Sequence, residues 1–200
     1  TDREGRVIGI ELPDNDLKGV LPADLNGLSE LQRFVLNGNQ LSGKFPEELR
    51  LHANWQNWDA FMNIYPQQEG YGFTVEDGEV ETYQLATRGL GINLVFMGDG
   101  YVQSDVVVGG KYEQDITEAI RLFFAIEPYK SYRDYFNVHV VTAVSNERGI
   151  TVGSKVKDTK FGTMFVGLVG ADMRTNSDDC FAYAKKAPIP NLSSTTIVLV

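Results

Sequence analysis

Asp99 is the residue whose type and position most suggest chemistry. It follows a mostly apolar run, Ile92 to Met97, that predicts a buried strand, and it lies between Gly98 and Gly100 in a tight turn. Open α/β sheets bind ligands at the carboxyl ends of their strands, and flanking glycines let other backbone approach closely. One interpretation places Asp99 at the edge of an active cleft, with Tyr101 beside it. The other is that Asp99 only hydrogen-bonds its own turn.

The remaining side chains with catalytic potential have structural interpretations that fit their positions better. His139 lies in a strand of alternating valines, which indicates a hydrogen-bonded histidine of the sheet, whereas His52 lies in a polar turn and is expected to be solvated. Cys180 has no histidine near it in sequence and is expected to be a small core residue. Asp178 and Asp179 are adjacent on a predicted helix, so they point apart and suit its amino-terminal cap.

The elements that position these residues alternate between strand and helix. After the strand at 92–97 come an amphipathic helix over 112–124, a strand over 138–144, a helix after Asn176 and a strand over 197–200. This alternation predicts an α/β domain with a mostly parallel sheet. The Gly-, Lys- and Thr-rich residues 145–170 predict a long surface excursion with a short buried piece at Phe165 to Val169. The final strand has no turn residue after it, so we expect further sequence downstream.

The amino-terminal part contains an internal repeat. Residues 7–25 align with residues 31–49 at one constant offset, which places Ile10 on Phe34, Leu12 on Leu36, Asn15 on Asn39 and Leu17 on Leu41. The segment is similar to leucine-rich repeats of the variety with an Asn-x-Leu-x-Gly-x-x-Pro turn. We expect short stacked strands, with Asn15 and Asn39 buried and hydrogen-bonded to the turning backbone, and a structural role for these residues.

Two repeats need support, because stable stacks of this type have about three or more. The following segment is rich in aromatic and apolar residues and predicts a degenerate third coil or a capping element. Its default interpretation is core filling, and the alternative is an aromatic patch that binds a partner. Its members are Trp55, Trp58, Phe61, Met62, Ile64 and Tyr65.

Composition excludes several classes of function. The chain has 200 residues, 42% of them apolar, and a net charge of -9, so it is globular and a poor partner for nucleic acid. It contains no apolar run of about 18 residues, the length that a membrane-spanning helix needs. Its one cysteine cannot form an internal disulfide.

The second half contains four stretches that together resemble a known family: Asn93 to Tyr101, Glu127 to Val138, Asp158 to Thr163 and Ile197 to Val200. In this order they resemble the start of the M64 peptidase family, which is named for enzymes that cleave immunoglobulin A. The likeness covers about residues 90–200, and the repeat segment in front is similar to architectures of surface proteins of gut bacteria.

The resemblance implies a zincin-type enzyme whose metal is bound by an H-E-x-x-H helix. That motif is absent, and the chain has only two histidines, His52 and His139. We therefore expect no catalytic residue and no metal ligand in these residues, and zinc only together with a downstream region.

The sequence thus predicts a short leucine-rich-repeat cap followed by an incomplete zincin-like α/β domain. The predicted parts are a repeat segment with its aromatic cap at 1–70, a linker or hairpin at 71–90, and an M64-like domain at 91–200 that stops before the zinc motif. The implied function is the amino-terminal portion of a secreted or cell-surface zinc metallopeptidase, which hydrolyses a protein or peptide substrate only in its longer form. The alternative is a non-catalytic extracytoplasmic module that binds protein or glycan through the repeats.

Overall fold

A computed structural model describes residues 1–166 and 172–200, with all of their side chains except that of Phe61. The chain divides into two compact units. Unit 1 comprises Thr1–Val75 and Val107–Gly110, and unit 2 comprises Glu76–Val106 and Lys111–Val200. Within the described ranges, every helix is too short or too polar to cross a membrane.

Unit 1 is built from short strands that pair in parallel. Its elements are β1 (Gly9–Glu11), β2 (Lys18–Gly19), β3 (Arg33–Val35), β4 (Gln40–Lys44), α1 (Glu47–Arg50), α2 (Ala60–Asn63) and β5 (Gly72–Thr74), with 3-10 turns at Ala23–Gly27 and Trp55–Asn57. β1 pairs with β3 so that Ile10 lies opposite Phe34, which is the alignment that the repeat predicts. β4 pairs in parallel with β2 on one side and with β5 on the other.

The core of unit 1 is aromatic and includes most of the segment after the repeats. Trp58, Ile64 and Tyr65 are buried there, whereas Met62 is exposed and the side chain of Phe61 lies outside the described part. The expectation that His52 is solvated is wrong. Its ring packs against Trp58 with 4.6 Å between ring centroids, and its Nε2 lies 3.1 Å from the carbonyl oxygen of Leu28, so the apparently polar turn is folded onto the core.

The segment 71–90, predicted as a linker or hairpin, contributes one strand to each unit. β5 extends the parallel pairing of unit 1, and its Phe73 is fully buried because it packs edge-on against Phe45 and Tyr65. β6 (Val80–Gln84) pairs antiparallel with a strand of unit 2.

Unit 2 is organised around a four-stranded sheet. Its remaining elements are β7 (Ile92–Met97), α3 (Lys111–Phe123), β8 (Phe136–Val141), β9 (Thr151–Val152), β10 (Met164–Phe165), β11 (Met173–Arg174), α4 (Ser177–Ala184) and β12 (Thr195–Leu199), with a 3-10 turn at Arg133–Tyr135. The strand order is β12-β7-β8-β6, and only β6 runs antiparallel. The predicted α/β class with parallel pairing is confirmed.

The two longer helices cover opposite faces of this sheet. Val95 and Met97 of β7 pack in one apolar cluster with Cys180 and Ala184 of α4. Phe96, which points to the other face because side chains alternate along a strand, packs edge-on against Phe123 of α3. β7 is therefore buried on both sides, as its continuous apolar sequence requires.

Helix α4 begins with the cap that the sequence predicts. The Asn176 side-chain oxygen accepts hydrogen bonds from the backbone N–H groups of Asp178 and Asp179, at 3.1 and 3.4 Å. Both aspartates lie in the first turn, where a negative charge favours the helix. Cys180 is buried, as expected for a small core residue.

The stability of unit 2 is expected to depend on pH through His139. Its ring is buried in β8, its Nδ1 lies 3.1 Å from the Thr82 hydroxyl, and burial lowers the pKa of the imidazole below its usual value. A base whose pKa is lowered by folding takes up its proton more readily in the unfolded chain. Unfolding free energy should thus fall as pH drops below about 6.5, the pKa of an unperturbed histidine. Urea titrations of the native chain and of His139→Gln across this range test it. The native chain should show the pH slope and the variant should lose it, and equal slopes would contradict the prediction.

Candidate functional site

Asp99 lies at the carboxyl edge of the parallel sheet, immediately beyond β7. Gly98 is required before it, since a Cβ there would come within 2.7 Å of the Tyr101 and Tyr112 rings. Gly100 follows with a φ of 77°, a left-handed conformation that side chains disfavour. The turn predicted from the sequence is therefore present, and it points the Asp99 carboxylate into the protein, where the residue is 6% exposed.

Five donors surround the Asp99 carboxylate. Oδ1 accepts from the N–H of Gly100 at 2.9 Å, the hydroxyl of Ser145 at 3.1 Å and the N–H of Phe161 at 3.2 Å. Oδ2 accepts from the hydroxyl of Thr159 at 2.8 Å and the N–H of Thr163 at 3.0 Å. Asp99 thus bonds its own turn and, in addition, holds a segment that is distant in sequence.

The ionised form of Asp99 is favoured in this environment. Burial alone raises the pKa of the carboxyl, but the hydrogen bonds from Thr163, Thr159 and Phe161 outweigh it and hold the pKa below its usual value. A carboxylate whose oxygens are both engaged by donors is a poor proton acceptor. Its geometry suits the anchoring of backbone at the sheet edge better than general-base catalysis.

The segment that Asp99 holds is the one predicted as a surface excursion. Ser145, Thr151, Thr159, Phe161 and Thr163 of this segment are buried, whereas the residues between them are exposed or partly exposed, so the segment is a surface excursion anchored at the carboxyl edge. Its composition predicts the surface position but not the anchors, because their hydroxyl and amide groups donate to a buried acid that is remote in sequence. The buried piece predicted at 165–169 is wrong at Phe165, which is 41% exposed, and residues 167–170 lie outside the described residues.

A second layer of bonds ties this segment, residues 145–163, to the turn around Gly100. The Ser145 hydroxyl accepts from the N–H groups of Gly100 and Lys160, both at 3.0 Å. The N–H of Ser145 donates to the carbonyl of Tyr101, and that of Gly149 donates to the carbonyl of Gly100, both at 2.7 Å. The two loops therefore form one hydrogen-bonded unit.

Asp105 is a second buried acid, and sequence reasoning missed it. Arg148 donates to both of its oxygens, through Nε at 2.9 Å and a terminal nitrogen at 2.6 Å. The N–H of Val102 donates to the same carboxylate at 3.1 Å. This forked ion pair joins the 98–106 loop to residue 148, and no spacing in the sequence signals it because the partners lie 43 residues apart.

Tyr101 does not face the Asp99 carboxylate. Its hydroxyl donates to Asp115 Oδ2 at 2.8 Å, and its ring packs edge-on against Tyr112 with 5.1 Å between centroids. Lys111 binds the same Asp115 oxygen at 2.6 Å. Burial, followed by the bond to Asp115, raises the pKa of the Tyr101 phenol, which therefore stays protonated. Tyr101 fixes the start of α3 to the turn.

The repeat residues of unit 1 meet at Asn39. Its Oδ1 accepts from the N–H groups of Asn15 and Leu17, at 2.9 and 3.1 Å. Its Nδ2 donates to the carbonyls of Leu12 and Leu36, both at 2.7 Å. Asn39 is fully buried, whereas the Asn15 side chain is exposed and donates to the carbonyl of Pro13, so the expectation that Asn15 is buried is wrong. Leu17 and Leu41 both pack in the core of unit 1.

Gln67 gives the third coil the same inter-coil bonding. Its Oε1 accepts from the N–H of Leu41 at 3.1 Å, and its Nε2 donates to the carbonyls of Leu36 and Ile64, at 3.0 and 2.8 Å. These bonds parallel those of Asn39. The segment after the two repeats is therefore organised as a further coil, the first of the two alternatives that the sequence leaves open.

The residues described do not fit a zinc ion. In residues 1–166 and 172–200, no group of three or more His, Cys, Asp or Glu side chains could hold a metal. His52 and His139 belong to different units, and each is engaged within its own core. No catalytic step through a metal follows from these residues.

The close approach at Gly100 leads to a testable expectation. A Cβ at this position would lie 2.8 Å from backbone atoms of Gly149, besides the strain of its positive φ. Gly100→Ala should therefore cost about 2 kcal/mol or more of unfolding free energy in unit 2. Gly153→Ala is the matched control, because Gly153 also has a positive φ but meets nothing within 4 Å. Chemical denaturation measures both, and equal losses would show that backbone strain alone determines the effect.

The segment that contains the Asp99 turn also carries the family likeness. Residues 83–176 match the family described as IgA Peptidase M64. This stretch includes β7, α3, β8 and the whole excursion that Asp99 holds. The match supports a metallopeptidase-like character for unit 2.

Other similarities are to plant receptor-like proteins. The chain is 43% identical over 54 residues to "Inactive LRR receptor-like serine/threonine-protein kinase BIR2" of Arabidopsis thaliana. The aligned residues make up 27% of this chain and 8% of that protein. The chain is 45% identical over 40 residues to "Receptor-like protein 49" of the same plant, which covers 20% of this chain and 5% of that protein. The chain thus matches less than a tenth of the length of these relatives, and the likeness is a weak indication of leucine-rich repeats.

Proposed function

We propose that unit 2 is the scaffold of a zinc metallopeptidase of the M64 type, a zincin-like domain whose metal ligands lie outside these 200 residues. The observation that carries the proposal is that the residues matched by the family include Asp99 and the hydrogen-bonded loops at the carboxyl edge of the sheet. The match spans both loops that Asp99 joins at the carboxyl ends of β7 and β8. Active sites of open α/β sheets lie at this edge. The substrate would be a protein or peptide, hydrolysed only in a form that also supplies the metal site.

Proteolysis by two forms of the protein tests this proposal. The 200-residue chain should leave casein intact, and a longer form that continues past Val200 through an H-E-x-x-H motif should cleave it. The control is the longer form with the glutamate of that motif replaced by glutamine, which retains the metal ligands but lacks the group that activates water. A longer form without the motif, or one that folds and binds zinc yet cleaves nothing, would refute the assignment.

A second candidate is a non-catalytic module that binds protein or glycan through unit 1. The likeness to leucine-rich-repeat receptor-like proteins and the bonding of three coils through Asn39 and Gln67 favour it. Repeats of this kind present open surfaces to partners. If this candidate is right, the longer form will capture a ligand through unit 1 and show no proteolysis with any metal.

An extracytoplasmic location, secreted or at the surface of a bacterial cell, belongs to both candidates. It is motivated by the pairing of a repeat segment with a peptidase-like domain. Fractionation of the producing cells, with an antibody against unit 1, tests it. Recovery of the protein in the cytoplasmic fraction alone would contradict it.

A further inference from the structure

A small sheet carries an exposed apolar row. The sheet is formed by β9 and β10, two strands of the excursion held by Asp99, and by the strand that follows, β11. Val152 of β9 lies opposite Phe165 of β10, which in turn lies opposite Met173 of β11. Partners in register point to the same face of a sheet. All three are exposed, at 53%, 41% and 58%. In the neighbouring row Thr151 is buried, whereas Met164 is 41% exposed. This face of the three-stranded sheet is therefore open to solvent.

Lys155 extends the row at one end. It forms an antiparallel bridge with Val152, so its side chain belongs to the same face. Lys157 is paired with Glu147 at 3.1 Å, but Lys155 has no acidic partner among residues 1–166 and 172–200. In a chain with a net charge of -9, the row thus has one cationic end, and an anionic group suits that end alone.

The spacing of the row matches an extended peptide. Neighbouring strands lie about 4.8 Å apart, so four positions in register span about 14 Å. Alternate side chains of an extended peptide are about 6.8 Å apart, so three of them also span about 14 Å. If a peptide carboxylate lies opposite Lys155, the next residue on the same side of the peptide lies between Val152 and Phe165. The one after it lies near Met173.

We propose that the row formed by Lys155, Val152, Phe165 and Met173 binds an extended substrate segment with the pattern acid-x-apolar-x-apolar, read in either chain direction. This inference rests on the proposed peptidase function and specifies its substrate, because the excursion is fixed to the carboxyl edge where substrate would lie. The row is four side chains long with a single unpaired cation. A stable interface between two copies needs about 1,200 Å² or more of buried surface, much more than this row offers.

Fluorescence anisotropy with the whole 200-residue chain tests the row directly. The probes are two fluorescein-labelled peptides, Gly-Glu-Thr-Leu-Thr-Leu-Gly and its reverse, each with a matched version in which lysine replaces glutamate. At least one glutamate probe should bind saturably, and Phe165→Ser should weaken it by about tenfold or more. Lys155→Glu should reverse the preference, so that the lysine probe binds better than the glutamate probe.

Two exposed sites of unit 2 provide the controls. Leu90→Ser removes a fully exposed leucine away from the row, and Lys130→Glu makes the same charge change on another exposed surface; both should leave binding unchanged. Absence of saturable binding, or binding that Phe165→Ser and Lys155→Glu do not alter, would overturn the proposal. Two further results would also overturn the proposal if neither peptide binds. One is sedimentation of the chain with phosphatidylserine vesicles, and the other is a dimer in size-exclusion chromatography, each abolished by Phe165→Ser.

The assay requires no catalysis, so it separates this inference from the proposed function. Peptide binding by the row with no proteolysis in any longer form would preserve the binding site and refute the peptidase. Proteolysis by the longer form, together with a peptide affinity that Phe165→Ser does not change, would preserve the peptidase function and refute the binding site.

Discussion

Replacing Asp99 with alanine is expected to lower the unfolding free energy of unit 2 by about 3 to 5 kcal/mol. Two hydroxyl and three backbone donors converge on its carboxylate, and removal of the acid leaves buried donors without their acceptor. Each such loss costs about 1 to 3 kcal/mol, less where water enters the space. Asp99→Asn should be nearly as damaging, because its amide nitrogen would face donors. Urea denaturation, with hydrogen exchange of residues 145–163, measures the effect.

The control for this prediction is Asp158→Asn. Asp158 lies in the same excursion but is exposed and accepts one side-chain hydrogen bond, from Asn146 at 2.8 Å. Its replacement should change stability by no more than about 0.5 kcal/mol. If Asp99→Ala is as mild, or if exchange of residues 145–163 is unchanged, the view of Asp99 as the anchor of that segment is incorrect.

Replacing Asn39 with alanine should have the largest effect in unit 1, a loss of about 3 kcal/mol. The fully buried side chain satisfies two N–H groups and two carbonyls that belong to two successive coils. Alanine would remove these four bonds and leave an unfilled space in the core, and among the described residues only the Leu36 carbonyl would keep another donor, Gln67. Thermal and urea unfolding monitored by the fluorescence of Trp58, which lies in the same core, would report the change.

Asn15 is the matched control, since it occupies the same place in the preceding repeat. Its side chain is exposed and donates to the carbonyl of Pro13, within its own coil. Asn15→Ala should therefore cost no more than about 0.5 kcal/mol. Equal losses at the two positions would indicate that the asparagines act within each coil and do not join one coil to the next.

The repeat and the main strands could be predicted because their signals are local. A constant offset places Ile10 on Phe34, and the two residues are in register in the structure. The apolar run at 92–97 similarly identifies β7 as a strand buried on both faces. Such patterns are visible in a sequence because residues at a regular spacing occupy similar positions in the structure and are therefore of similar type.

The polar architecture around Asp99 could not be predicted, because its partners are remote. Thr159 and Thr163 lie 60 and 64 residues from Asp99, and a hydrogen bond at that distance leaves no periodicity in the sequence. Composition misled at two further places. Ser145, Thr159 and Thr163 are buried where they donate to Asp99, and His52 is buried against Trp58 although its neighbours are polar.

The two units thus differ in how they use buried polar side chains. In unit 1, Asn39 and Gln67 join successive coils through backbone groups. In unit 2, Asp99 and Asp105 fix two loops at the edge of a parallel sheet. Only the second arrangement lies where an α/β enzyme places its ligands, and only that segment matches a peptidase family.

The most direct test of this account is the zinc content of the folded 200-residue chain after dialysis against a zinc buffer, measured together with that of a longer form containing H-E-x-x-H. The account predicts well under one zinc per 200-residue chain and one per longer chain. One tightly held zinc in the 200-residue chain, removable only by a strong chelator, would contradict it.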